Sequence, residues 1–156
     1  MDNCDIKIDK EGIWYYRGAH MFRKEILSVF FENIKIDACG KYLIELGEEV
    51  CYLDVEDTAF VVTAVYKTRQ ESDTKDQIDI LLTDDSLEKL NLNTLYVGID
   101  NVLYCTVKNG KFKARFSRNS YYQLAQFIEQ EENCFFISLN DEKYCIEPMF
   151  NNNYNM

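Results

Sequence analysis

The feature that most constrains this chain is an ungapped match between two of its own segments. "YLIELGEEVCYLDV", Tyr42 to Val55, lies over "FFISLNDEKYCIEP", Phe135 to Pro148. Tyr42 meets Phe135, Ile44 meets Ile137, Leu46 meets Leu139, Leu53 meets Ile146 and Asp54 meets Glu147. In both segments apolar residues alternate up to a polar turn, at Gly47-Glu48 or Asn140-Asp141, and then alternate back. That is the pattern of a β-hairpin with one buried face. A segment met twice implies a supersecondary unit used twice.

Each copy extends upstream in the same way. "IKIDKEGIWYY" from Ile6 and "LYCTVKNGKFKARF" from Leu103 read as hairpins with Gly12 and Gly110 in their turns. Glycine suits those places because a turn there needs a positive φ. Between the two hairpins of each copy lies a helical pattern. In the first it spans about His20 to Ile34, with Phe22, Ile26, Val29 and Phe30 at helical spacing and Leu27, Phe31 and Ile34 widening the apolar face. In the second it begins near Asn119, with Tyr121, Leu124, Ala125 and Ile128 in the stripe and Ser117 or Asn119 as the cap.

The expected fold is therefore α+β: two small domains, each a hairpin–helix–hairpin with an antiparallel sheet packed on a helix, plus an extra central hairpin. The central strands are "AFVVTAVYK", Ala59 to Lys67, and "QIDILLT", Gln77 to Thr83. The polar "TRQESDTKD" between them is expected as a mobile loop, and "DDSLEKL" as a helical turn capped by an Asp. The boundaries read as 1–57 for the N-terminal domain, 58–150 for the C-terminal domain and 151–156 for a disordered tail.

Charge and composition narrow the function classes. The chain carries a formal net charge of -10, which disfavours phosphate backbones and anionic membrane surfaces, so neither nucleic acid nor membrane is expected as a partner. No apolar run approaches the roughly 20 residues that span a bilayer, and "MDNCDIKIDK" lacks a signal peptide's apolar stretch, so a cytoplasmic location is expected. The six cysteines include no C-x-x-C pair and are expected as reduced thiols filling apolar space.

Chemistry-bearing groups are sparse. His20 is the sole histidine, which rules out a multi-histidine metal site in one chain. Nothing near it supports a nucleophilic triad, and no phosphate-binding glycine loop occurs. Lys108, Lys111, Lys113, Arg115 and Arg118 form the one basic strip; it reads as a solvated sheet face or as a surface for an acidic partner. The acids Asp54, Glu56 and Asp57 fall within four residues. Asp54 and Glu56 alternate along a strand roughly 7 Å apart, close enough to share a hard cation. They equally suit solvation, or pairing with Arg23 and Arg118 at a domain junction.

Three segments carry a family resemblance. "IDKEGIWYYRGAHMFRKEILSVF" holds Glu11, Gly12, Trp14, Gly18, Met21, Arg23, Leu27 and Phe30; "VED" spans Val55 to Asp57; "VKNGKFKARFSRNSYYQL" runs through Arg118 to Tyr122 and Leu124. In this order they resemble the DUF1285 family, bacterial proteins of unknown function. The chain departs from the family pattern at Leu46-Gly47, before Glu49, and at Asn119. The resemblance implies two α+β domains with repeated motifs, a cleft between them, a role in signal transduction and no catalytic residue set. Combined with the residues, it points to a non-enzymatic module binding a small ligand or protein partner without a cofactor, its interdomain cleft lined by Trp14, Arg23, Glu49, Glu56, Asp57, Arg118 and Tyr122. The alternative is a metal-assisted hydrolase built on Asp54, Glu56 and Asp57.

Overall fold

A computed structural model describes residues 2–69 and 75–148. The expected mobile loop falls largely on 70–74 and the expected tail on 151–156, so both lie outside the described residues. The chain divides into two compact units, Met1–Phe60 and Val61–Met156, where the sequence reading placed its boundary after Asp57.

The first unit runs β1 (Asp2–Ile8), β2 (Trp14–Tyr16), β3 (Ala19–His20), α1 (Lys24–Glu32), β4 (Ile34–Ile36), β5 (Tyr42–Leu46) and β6 (Glu49–Val55). These strands make one sheet in the order β3-β2-β1-β6-β5-β4. The two expected hairpins are present, pairing Ile6 with Tyr16 and Leu46 with Glu49. They are joined by a parallel pairing of β1 with β6, so the sheet is mixed rather than antiparallel. Alternation sends Ile6, Ile8, Trp14, Ile44 and Leu53 to one buried side, while Leu43, also buried, faces the other. Trp14 lies parallel to Phe30 at 6.1 Å and edge-on to Phe31 at 4.9 Å, and Phe31 reaches Phe60 at 5.3 Å.

Helix α1 is shorter than its apolar pattern. His20 sits in β3, with its ring against Tyr15 and Phe22, and the helix starts only at Lys24. Of the expected stripe, Phe31 is buried in the helix, while Phe22, Ile26 and Val29 are exposed. Because the helix begins after Phe22, the side that meets the sheet is set by Phe30 and Phe31.

The second unit holds β7 (Phe60–Arg69, entering from the first), β8 (Asp76–Leu82), β9 (Leu87–Lys89), β10 (Tyr96–Val97), β11 (Leu103–Val107), β12 (Phe112–Phe116), α2 (Arg118–Ala125), β13 (Ile128–Glu131), β14 (Cys134–Leu139), β15 (Glu142–Cys145) and β16 (Glu147–Pro148). One sheet has the order β16-β10-β11-β12-β7-β8-β9 and a second the order β13-β14-β15. The class is thus α+β and mostly sheet. Strands β11 and β12 join the central hairpin in the seven-stranded sheet, while β13 to β15 stand in their own sheet. The "DDSLEKL" stretch forms a turn and then β9, not a helical turn, because Leu87 and Lys89 pair with β8. Ile128 likewise leaves the helical stripe for β13.

Turn chemistry explains the hairpins. Asn140 and Asp141 both have positive φ, as a two-residue primed turn requires, and Lys108, Asn109 and Gly110 do the same between β11 and β12. Helix α2 is capped by Ser117, whose Oγ accepts from Ser120 N. A register shift in β7 at Val62/Ala64 leaves backbone groups that α2 takes up. Ser120 Oγ donates to Val62 O at 2.7 Å, and Val65 N donates to Gln123 Oε1 at 2.7 Å. Polar contacts therefore fix the helix alongside the buried Leu124.

The cysteine expectation is corrected at one pair: Cys4 and Cys51 are joined by a disulfide, with 5.1 Å between their Cα atoms. Cys4 falls in the irregular stretch of β1 between Asn3 and Lys7, where the parallel register shifts, and this brings it to β6. No helix among the described residues is long and apolar enough to cross a membrane.

Candidate functional site

The first unit carries a groove of about 660 Å³ beside the β1–β2 hairpin and the end of β6. Its walls come from three stretches. Asp9 organises the first. Its Oδ1 accepts from Glu11 N at 3.0 Å and Ile13 N at 2.9 Å, while its carbonyl accepts from Gly12 N at 2.9 Å. An Asp so placed folds the turn around its own side chain. The Tyr15 hydroxyl reaches Asp9 Oδ2 at 3.4 Å. Partial desolvation, then the Asp9 charge and hydrogen bond, raise the Tyr15 pKa above its ordinary 10.0.

Glu56 closes the groove from the end of β6. Its backbone N donates to Ile8 O at 2.9 Å, and its Oε2 accepts from Lys10 N at 2.9 Å. One residue thereby extends the parallel β1–β6 pairing and pins the hairpin turn opposite. At the other end Arg17, at positive φ, places its Nε 3.2 Å from Asp5 Oδ2. The lining holds five carboxylates (Asp5, Asp9, Glu11, Asp54, Glu56) against three cations (Lys7, Lys10, Arg17). A second groove of about 550 Å³ shares Asn3 and Asp54 with it, so Asp54 stands on the wall between the two. Asp37 lies beside that second groove: its carboxylate accepts from Cys39 N, Lys41 N and the Tyr52 hydroxyl.

Five of the sequence-predicted residues belong to the first unit and two to the second. Trp14 is core, at 2% exposure. Arg23 is the exposed N-cap of α1 and makes no side-chain cap bond. Glu49 opens β6 across the turn from Leu46. Asp57 lies close enough to Tyr42 for its charge to add to burial in raising the Tyr42 pKa. Arg118 and Tyr122 belong to the second unit, where Arg118 opens α2 and Tyr122 sits exposed against the Tyr121 ring. Of the seven, Glu56 lines the groove. The basic strip also resolves: Lys108 Nζ is bound to Asp84 Oδ2 at 2.7 Å, and Lys113 lies over the Tyr104 ring. Sequence reasoning missed Asp9, Lys10, Tyr15 and Arg17. The D-x-x-G spacing of Asp9 and Gly12 was the available signal for the turn.

Among the described residues no group of three or more His, Cys, Asp or Glu side chains is placed to hold a metal ion, Asp54, Glu56 and Asp57 included. What the groove offers instead is a fixed array of opposed charges beside a tyrosine hydroxyl, which suits recognition of a polar ligand.

The architecture, a mixed six-stranded sheet followed by a seven-stranded and a three-stranded sheet with two helices, has known counterparts. No protein-family model matches the chain, and no curated protein matches it. Its fold is similar to that of two crystal structures of DUF1285 family proteins. One, from Silicibacter pomeroyi DSS-3, has a TM-score of 0.75 at 19% identity, covering 92% of this chain and 80% of that one. The other, from Shewanella baltica OS155, has a TM-score of 0.62 at 15% identity, covering 78% and 90%. The chain therefore resembles DUF1285 proteins in fold.

Proposed function

We propose that the chain is a non-enzymatic binding module and that the groove of its first unit takes a small, positively charged ligand. The observation that carries this reading is the groove's lining, five carboxylates against three cations around about 660 Å³. A concavity of that size holds a small molecule. The excess negative charge selects a cationic group, and a ligand ammonium or guanidinium gains charge-assisted hydrogen bonds there. The groove lies on strands rather than on a long loop, and a hydrogen bond spanning 46 residues, Lys10 N to Glu56, holds its two sides together. Such a site is already shaped before the ligand arrives, which lowers the cost of binding.

A regulatory role is consistent with this arrangement, because a ligand bridging the β1–β2 turn and Glu56 would stiffen the first unit. The recurring element order supports descent of both halves from one hairpin–helix–hairpin unit, with the groove elaborated in the first. Thermal unfolding tests the reading, followed by the fluorescence of Trp14, the sole tryptophan, which is buried in that unit. Spermidine and arginine are expected to raise the midpoint at low salt and less so at high salt, and citrate to leave it unchanged. Equal shifts from cationic and anionic compounds would refute the charge selection.

A further inference from the structure

The second unit holds a pair of free thiols that the binding reading does not use. Cys134 opens β14 and Cys145 ends β15, and the two strands are paired in register from Leu139↔Glu142 to Phe136↔Cys145. The Sγ atoms lie 3.2 Å apart, with Cys134 Sγ donating to Cys145 Sγ. A disulfide bond is about 2.05 Å long, so closure needs an approach of ~1 Å, within reach of side-chain rotation. Cys145 is exposed and Cys134 half-buried, so a reagent meets Cys145 first.

The surroundings are acidic. Glu131 sits opposite Cys134 in the β13–β14 register. The hydrogen bond with Cys145, then desolvation, then the charges of Cys145, Glu147 and Glu131 raise the Cys134 pKa. Lys143, on β15 with Cys145, is held by Glu131 at 2.7 Å. An anionic reagent is therefore repelled and a cationic one attracted.

We propose that Cys134 and Cys145 form a thiol–disulfide exchange site, which takes small cationic or neutral disulfides and closes to an intrachain disulfide. In the first step the Cys145 thiolate attacks one sulfur of a disulfide RSSR. The Cys145–SR bond forms, the S–S bond of the reagent breaks, and RS⁻ leaves. In the second, the Cys134 thiolate attacks the Cys145 sulfur, the Cys134–Cys145 bond forms and the second RS⁻ leaves. The two protons of the protein thiols pass to the two departing thiolates, and two electrons pass from the protein to the reagent. The product ties β14 to β15 at the point where the chain leaves the three-stranded sheet for β16.

The test treats the full chain with cystamine (cationic), 2-hydroxyethyl disulfide (neutral) or glutathione disulfide (anionic), blocks free thiols with N-ethylmaleimide, and maps cysteines by mass spectrometry. The expected product is a Cys134–Cys145 linkage about 2 Da lighter than the dithiol, with neither thiol alkylated. Two other free cysteines serve as controls: exposed Cys39 keeps a mixed disulfide, and buried Cys105, whose pKa is pushed up to about 12 by burial, stays unmodified. In Cys134→Ser the mixed disulfide remains trapped on Cys145. Cystamine should react roughly fivefold faster than glutathione disulfide at low salt, the difference shrinking as salt rises. Stable mixed disulfide on Cys145 in the unsubstituted chain, with no 134–145 linkage, would overturn the proposal. Glutathione disulfide reacting as fast as cystamine would overturn its reagent class.

Discussion

Replacing Trp14 separates two opposing contributions at the centre of the first unit. The side chain is buried, stacked on Phe30 and edge-on to Phe31, and its Nε1–H has no hydrogen-bond partner among the described residues. Truncating a buried Trp to Ala costs about 3–5 kcal/mol in lost contacts and cavity. Burying an unpaired N–H costs about 1–3 kcal/mol, and truncation releases that penalty. Trp14→Ala is therefore expected to destabilise by about 2 kcal/mol, within a span of ~0–4 kcal/mol. Trp14→Phe keeps an aromatic ring between Phe30 and Phe31 while removing the N–H, and is expected within about 1.5 kcal/mol of the unsubstituted chain. Urea unfolding followed by far-UV circular dichroism measures both, with amide exchange at Ile6, Ile8 and Leu53 assigning the loss to the first unit. If Trp14→Phe costs as much as Trp14→Ala, the indole N–H is satisfied in solution and the reasoning fails.

Two further outcomes follow from the second unit. Asp84 is opposed by burial, but Lys108 and the Ser86 hydroxyl and N–H outweigh it and hold its pKa below the ordinary 3.8. The stability it contributes is therefore complete above pH 3.8 and lost as pH falls through the lower folded-state value. Asp84→Asn should flatten that part of an acid-unfolding curve, and an unchanged curve would refute the assignment. Gly98→Ala would place a Cβ 2.6 Å from Tyr104 Cε2, on a ring stacked with Tyr96 at 5.2 Å. Its φ of -96° is ordinary, so the cost is steric, about 1–3 kcal/mol, and the double change with Tyr104→Leu should recover most of it in a denaturation cycle.

Local signals made part of this molecule legible. Gly12, Gly47, Gly110 and Asn140-Asp141 mark turns whose backbone needs are met within a few residues, so the hairpins can be read directly. Helix limits were less legible, because the apolar residues begin at Phe22, before α1 starts, and only Phe31 is buried within it. The β1–β6 pairing was invisible: no periodicity states which strands become parallel neighbours. The groove depends on that pairing, since Glu56 meets Lys10 only once β6 lies beside β1. Periodicity places Glu56 at the end of a strand, but it says nothing of the Lys10 N–H that its carboxylate accepts from.

The binding claim is tested most directly by calorimetric titration of spermidine into the full chain at low salt. A comparison with the Asp54→Asn, Glu56→Gln double variant isolates the groove, because the introduced glutamine retains an oxygen acceptor for Lys10 N while both charges are gone. The account predicts a saturable heat for the unsubstituted chain and its loss in a variant with unchanged circular dichroism. The same heat in both proteins, or no heat at millimolar spermidine, would contradict it.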